Sequence, residues 1–220
     1  MTGAGGDSNL RVLVVGAGSG VGLACAEAFA ARGAELILCD HDGNALTHAA
    51  LQFNAFSRYC DAIADASVAV FAAEIAERYA GLDVLINAAG RGYVRALAMT
   101  RMTKAMMPLL RRGNGRRLVI NIAACGGFRE ADNMFPYASS VPAFDRLSDA
   151  LAVQAKGTSI DVVRITPTVV RGRPASGLRA DHLYELQRVD ERDTARRIVE
   201  LVVAERPEWR QRPPTFSRRA

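Results

Sequence analysis

The sequence predicts an α/β fold, a doubly wound parallel sheet with helices on both faces, built as a single domain. Three observations predict it. Short runs rich in Val, Ile and Leu alternate with alanine-rich stretches of helical period along most of the chain. The first such run leads straight into a glycine-rich turn and then a helix. The 220 residues, 50% of them hydrophobic, suffice for one sizeable core and leave little for a second. Alternation of this kind favours parallel strands, because each right-handed crossover returns the chain to the same sheet.

Residues 10–15 (LRVLVV), 34–39 (AELILC), 82–86 (LDVLI), 118–122 (LVINI) and 160–165 (IDVVRI) read as buried parallel strands. Each is short, apolar and bounded by turn or polar residues. Residues 56–60 (FSRYC) are a sixth, less apolar candidate. Helices are expected over residues 21–31, 44–52, 67–79, 96–111, 143–156 and 192–204, where apolar positions recur at helical spacing. Residues 1–9 read as a flexible N-terminus, 10–206 as the domain, and 207–220, with three prolines and four arginines, as a surface tail.

Composition narrows the function classes. No apolar run approaches the ~18 residues that a membrane crossing needs, and the first residues (MTGAGGDSN) have neither the basic start nor the apolar core of a signal peptide, so a cytoplasmic protein is expected. Cys25, Cys39, Cys60 and Cys125 are far apart and form no C-x-x-C pair, which reads as buried free thiols rather than metal ligands or a disulfide framework. The net charge of +5 is dispersed, mostly as arginine, without interleaved aromatic residues, and so argues against a nucleic-acid partner.

The turn Gly16-Ala17-Gly18-Ser19-Gly20-Val21-Gly22 follows the first strand and precedes the first helix. Glycine there lets backbone approach a phosphate, whose charge is favoured by the free N–H groups and dipole of the helix start. A tight turn also needs glycine for conformational reasons alone. Asp40, at the end of the second strand and eighteen residues after Gly22, stands near the ~20-residue spacing at which a carboxylate meets an adenosine ribose. The other reading of Asp40 is a turn or helix-capping residue before Asp42 and Gly43. An acid at that place repels a 2′-phosphate, and neither Ser19 nor His41 supplies a fixed positive charge. NAD is therefore expected over NADP, on a Rossmann-type sheet.

With these residues in place the chain, over about residues 10–204, resembles the short-chain dehydrogenase/reductase family. The spacing Gly16-x-x-x-Gly20-x-Gly22 is similar to that family's cofactor loop, and Asn87-Ala88-Ala89-Gly90 to the turn beside the adenine ribose. Asp61, with Ala62, resembles the acid that meets the adenine amino group. The resemblance implies an alcohol or carbonyl substrate, a homodimer or homotetramer, and a catalytic tyrosine at Tyr137. It also places Pro167 and Thr168 against the nicotinamide, although the family has glycine where Thr168 stands.

The rest of the implied catalytic set departs from the family. Lysine is expected four residues after the tyrosine and serine thirteen before it; here those positions are Val141 and Ala124. A tyrosine with an ordinary pKa near ~10 is a poor base at neutral pH unless a cation favours its ionised form, and each unit of lost depression is worth ~1.4 kcal/mol. A missing donor at the reacting oxygen commonly costs ~3 kcal/mol more. Arg91, Arg95 and Lys104 are the basic residues near the right region, Arg95 close to the place of the family's asparagine. Pro142 predicts a helix that starts near it, because proline is welcome at the first helical position and costs ~3 kcal/mol in the interior. Tyr137 would then sit in the preceding loop, either as a proton donor or as a partly buried aromatic. Residues 173–188 stand where the family has its substrate lid, with Leu183, Tyr184 and Leu186 as pocket walls. The sequence reads as an NAD-dependent oxidoreductase with an incomplete catalytic set; a non-catalytic NAD-binding or partner-binding protein, or a non-redox enzyme on the same scaffold, remain the alternatives.

Overall fold

The computed structural model describes residues 10–90, 93–112, 115–123, 135–165, 167, 169–171 and 187–205. The elements run β1 (Arg11–Val15), α1 (Gly20–Ala30), β2 (Glu35–Asp40), α2 (Gly43–Phe53), β3 (Phe56–Tyr59), α3 (Asp65–Arg78), β4 (Val84–Asn87), α4 (Tyr93–Arg111), β5 (Arg117–Ile122), α5 (Phe135–Ala155), β6 (Ile160–Ile165), β7 (Val169–Arg171), β8 (Gln187–Val189) and α6 (Glu191–Glu205). Strands β1 to β6 form one parallel sheet in the order β3-β2-β1-β4-β5-β6. Because the winding reverses between β1 and β4, a crevice opens there beyond the carboxyl ends of the strands.

Alternation along each strand sorts the core into two layers. Val12, Val14, Leu36, Leu38, Val84 and Ile86 point to one face, where α1, α2 and α6 cover them. Leu13, Val15, Ile37, Cys39, Leu85 and Val119 point to the other, under α3, α4 and residues of α5. This is the period of two that a sheet covered on both faces requires. Helix α6 shows the matching helical pattern: Ala195, Ile198, Val199 and Val202 are buried along one stripe against α1, and full burial of each branched side chain contributes roughly 1.5–3 kcal/mol.

Two local expectations change. Helix α5 begins at Phe135 and carries Pro142 in its interior, so Tyr137 lies on its first turn and not in a preceding loop. Tertiary contacts offset the proline's cost: Phe144 and Leu151 are buried beside Ala96 and Met99 of α4, and Ser148 accepts a hydrogen bond from Asn121 Nδ2 at 2.9 Å. The antiparallel pair β7 and β8 was not expected, since three-residue strands leave too few positions for a period to register. The N-terminal residues 1–9 and the tail 207–220 lie outside the described residues, as do Ala124, Cys125, Thr168 and most of the expected lid, 172–186.

Candidate functional site

The crevice at the β1/β4 reversal has a volume of about 690 Å³, within the range of small-molecule and cofactor sites. Its floor is the glycine loop. Gly16 and Ala17 donate their N–H groups to the Cys39 carbonyl at 2.8 and 3.2 Å, which ties the loop to the end of β2. Gly16 has φ +85 and packs so closely that a Cβ would lie 2.8 Å from the Ala89 backbone. A Cβ on Gly22 would lie 1.9 Å from the Gly16 carbonyl oxygen, so Gly22 lies beneath the loop and serves its packing. Gly20, with φ +57, opens outward: the Glu191 carboxylate oxygen, 3.5 Å away, is the one heavy atom a Cβ there would meet within 4 Å among the described residues. Ser19, the N-cap of α1, is extended and makes no side-chain cap bond, which leaves the helix-start N–H groups available to an anion.

Asp40 closes the loop from the side. Only 7% exposed, it accepts the Gly18 N–H at 2.8 Å on Oδ2 and the Asp42 N–H at 3.0 Å on Oδ1, with His41 Nδ1 also 3.0 Å from Oδ1. Asp40 is thus a turn residue, and it also borders the crevice. Asp42 rather than Asp40 caps α2, accepting the Asn44 and Ala45 N–H groups at 3.0 Å each. At the β3 end, Asp61 accepts the Ile63 N–H at 3.0 Å, and Ala62 is buried beside it.

Of the residues singled out from the sequence, Gly16, Ser19, Gly20, Val21, Asp40, His41, Asp61, Ala62, Ala88, Ala89, Gly90 and Pro167 line the crevice together. Asn87 does not. Its side chain is 4% exposed and turned inward, donating through Nδ2 to Thr103 Oγ1 at 3.0 Å and to Asn121 Oδ1 at 2.9 Å. This buried polar chain continues to Ser148 and joins β4, β5, α4 and α5. Position 137 stands eleven residues before Ser148, three turns along the same stripe of α5, while the Tyr137 side chain lies outside the described part.

Of the two basic candidates among the described residues, Arg95 and Lys104, Arg95 is brought to the crevice. Its Nη1 donates to the Ile122 carbonyl at 2.8 Å and to the Ala123 carbonyl at 3.4 Å, which pins the end of β5 beside position 124. Lys104 is exposed on α4 and does not line the site, and Arg91 lies outside the described residues. Glu191 and Cys60, which sequence reasoning did not assign to the site, also line it. Glu191 arrives from a helix that begins 150 residues or more after the glycine loop, so no local spacing announces it. The Cys60 thiol is held below its ordinary value by its hydrogen bond with Cys39; burial opposes this, and the Ser67 hydroxyl, 3.9 Å away, assists. Cys39 is raised by the same bond and by burial, and burial pushes Cys25 up to about 12.

The glycine-loop geometry tests whether a dinucleotide fits: the loop is tight at Gly16 and Gly22, where backbone must pack, open at Gly20, and flanked by the Asp40 carboxylate. The residues fit. The sequence model of the short chain dehydrogenases matches residues 11–100 and 93–182, which between them span most of the chain. The chain belongs to the short-chain dehydrogenase family. It is 30% identical over 215 residues to the protein named as ketoacyl reductase 1 of the granaticin polyketide synthase of Streptomyces violaceoruber, covering 86% of this chain and 78% of that one. A short-chain dehydrogenase/reductase from Burkholderia phymatum, solved with NAD, shares the fold at a TM-score of 0.75 and 19% identity, over 90% of this chain and 87% of its own. A metagenomic short-chain oxidoreductase solved with NADP superposes at 0.71 with 21% identity, over 89% and 91%. The positions that the resemblance assigns to the family's lysine and serine are Val141 and Ala124 in this chain.

Proposed function

We propose that the chain binds NAD in the crevice and acts as an oxidoreductase on an alcohol or carbonyl, with an activity weakened or rewired at its proton-transfer end. The observation that carries this reading is the Asp40 carboxylate at the rim of the glycine loop: bonded to Gly18 N–H, it supports a ribose diol and opposes a 2′-phosphate. The Gly16 to Gly22 turn and the start of α1 would hold the diphosphate, Asp61 and Ala62 the adenine, and Ala88 to Gly90 the adjoining ribose. Pro167 stands at the other end, where the nicotinamide would lie, and Thr168 follows it in the sequence. A bound nicotinamide would supply or accept the hydride.

The chain's own contribution to the proton step rests on Tyr137 of α5 as the acid or base at the substrate oxygen. Valine at 141 gives no cation to favour its ionised form, and alanine at 124 gives no hydroxyl to orient the carbonyl. Arg95 supplies a fixed positive charge on the crevice wall and holds the β5 end that leads to position 124. The similarity to a protein named as a ketoacyl reductase makes ketoacyl thioesters the first substrates of choice. Exposed Leu97 on α4 and Leu147 on α5 are consistent with a homodimer or homotetramer built through these helices. A cytoplasmic location accords with the sequence; among the described residues no helix is long and apolar enough to cross a membrane.

The test is a titration with NADH followed by a carbonyl panel that includes ketoacyl thioesters. Binding in the micromolar range with slow oxidation is expected. Failure to bind NADH at millimolar concentration overturns the cofactor assignment, and rapid oxidation overturns the weakened site. Val141 specifically favours a second reading, a non-catalytic or non-redox protein on the same scaffold. A Val141→Lys and Ala124→Ser double replacement separates the two, since a gain of about tenfold or more in carbonyl reduction is expected only where Tyr137 already faces the substrate.

A further inference from the structure

The acids of the crevice are not equivalent. Asp40 accepts the N–H groups of Gly18 and Asp42, and Asp42 and Asp61 accept N–H groups of their own turns. Glu191 is exposed, and among the described residues nothing donates to its carboxylate. The helix start that carries it is held in place all the same. Asp190 caps α6 by accepting the Asp193 N–H at 2.8 Å, Thr194 bonds back to the Asp190 carbonyl, and the buried stripe of α6 seats the helix against α1. The first residue of α6 therefore presents its Oε1 3.5 Å from the point where Gly20 would carry a Cβ, across the open start of α1.

We propose that Glu191 is an anionic gate on the phosphate cradle. The start of α1 carries a partial positive charge and free N–H groups that favour an anion. In the free protein the Glu191 carboxylate sits in that field, and an entering diphosphate must share the space with it or displace it. Glu191 thereby lowers the affinity of the crevice for phosphate-bearing ligands without touching the recognition of adenosine. The inference rests on the dinucleotide reading above. Two like charges in an exposed crevice repel modestly and are screened by salt, so the effect is a several-fold one at low ionic strength.

The experiment compares the full chain with Glu191→Gln, which keeps shape and removes charge. NADH is titrated by fluorescence, and ADP and adenosine by competition, at about 0.02 M and about 0.5 M salt, where screening is weak and strong respectively. Glu191→Gln is expected to bind NADH and ADP roughly threefold to tenfold more tightly at low salt, with the gain shrinking at high salt and adenosine unchanged. Equal or weaker NADH binding by the variant overturns the gate, as does an equal gain for adenosine. If neither protein binds NADH, the dinucleotide reading falls and the gate with it, whereas binding by the wild type without a gain in the variant removes the gate alone.

Discussion

Asp40 and Gly18 are locked together: the carboxylate at the end of β2 reaches back over the loop and accepts the Gly18 N–H at 2.8 Å. A Cβ on Gly18 would approach Asp40 Oδ2 to 3.0 Å and Ala45 Cβ to 2.9 Å, so the contact needs a residue without a side chain. Asp40→Ala is expected to destabilise the fold by about 2 kcal/mol, because two N–H groups lose a charged acceptor, and to weaken NADH binding by about tenfold or more. Asp40→Asn keeps an oxygen but not the charge, and should move the NADPH to NADH affinity ratio toward NADPH. Equilibrium unfolding and parallel titrations with both nucleotides check these outcomes.

The loop glycines should separate packing from binding. Gly22→Ala places a Cβ 1.9 Å from a backbone oxygen that has no room to yield, and a loss of about 3 kcal/mol in denaturant unfolding is expected. Gly20→Ala meets no backbone, so its folding cost is the strain of φ +57, about 1–2 kcal/mol. The added methyl would stand where the proposed diphosphate lies, however, and NADH affinity should fall disproportionately. Equal losses of stability and affinity in both variants would contradict the assignment.

Arg95 is expected to act on the chemistry more than on the cofactor. Arg95→Gln removes the charge and loosens the Ile122 and Ala123 carbonyls at the end of β5. Carbonyl reduction should drop by about tenfold, in proportion to one charge-assisted contact, with NADH affinity little changed. Steady-state kinetics beside a binding titration resolve the two.

Thiol reactivity should follow the local fields. Thiolate is the reactive form, so of the described cysteines Cys60, whose thiol is lowered by Cys39, should be alkylated first as pH rises from neutral. Cys25, raised to about 12 by burial, and Cys39, raised by its bond to Cys60 and by burial, should stay unmodified until the protein unfolds. NADH should slow modification of Cys60, which lines the crevice. Peptide mass mapping after iodoacetamide at graded pH measures the order.

Much of this arrangement was legible in the chain itself. The apolar runs and helical periods predict the six parallel strands, most plainly in β1, β2, β4 and β5, where burial on both faces leaves a local imprint; the edge strand β3 carries a weaker one. The glycine spacing and Asp40 are likewise local, because a strand, a turn and a helix start must follow one another for a phosphate cradle to form. Asn87 shows the limit: its motif was legible, but its inward turn depends on Thr103 and Asn121 from two other elements. Pro142 shows another. Its intrinsic preference argues for a helix start, and packing around Phe144, Ser148 and Leu151 carries the helix through it.

The sequence by itself determined the sheet, its two covered faces and the glycine turn between β1 and α1, because each depends on residues close together along the chain. The tertiary structure alone decided which charges face the crevice beside that turn. Glu191 from α6 and Arg95 from α4 enter it only when helices distant in sequence dock on the sheet, and long-range docking is set by complementary apolar stripes rather than by any spacing of the charged residues themselves.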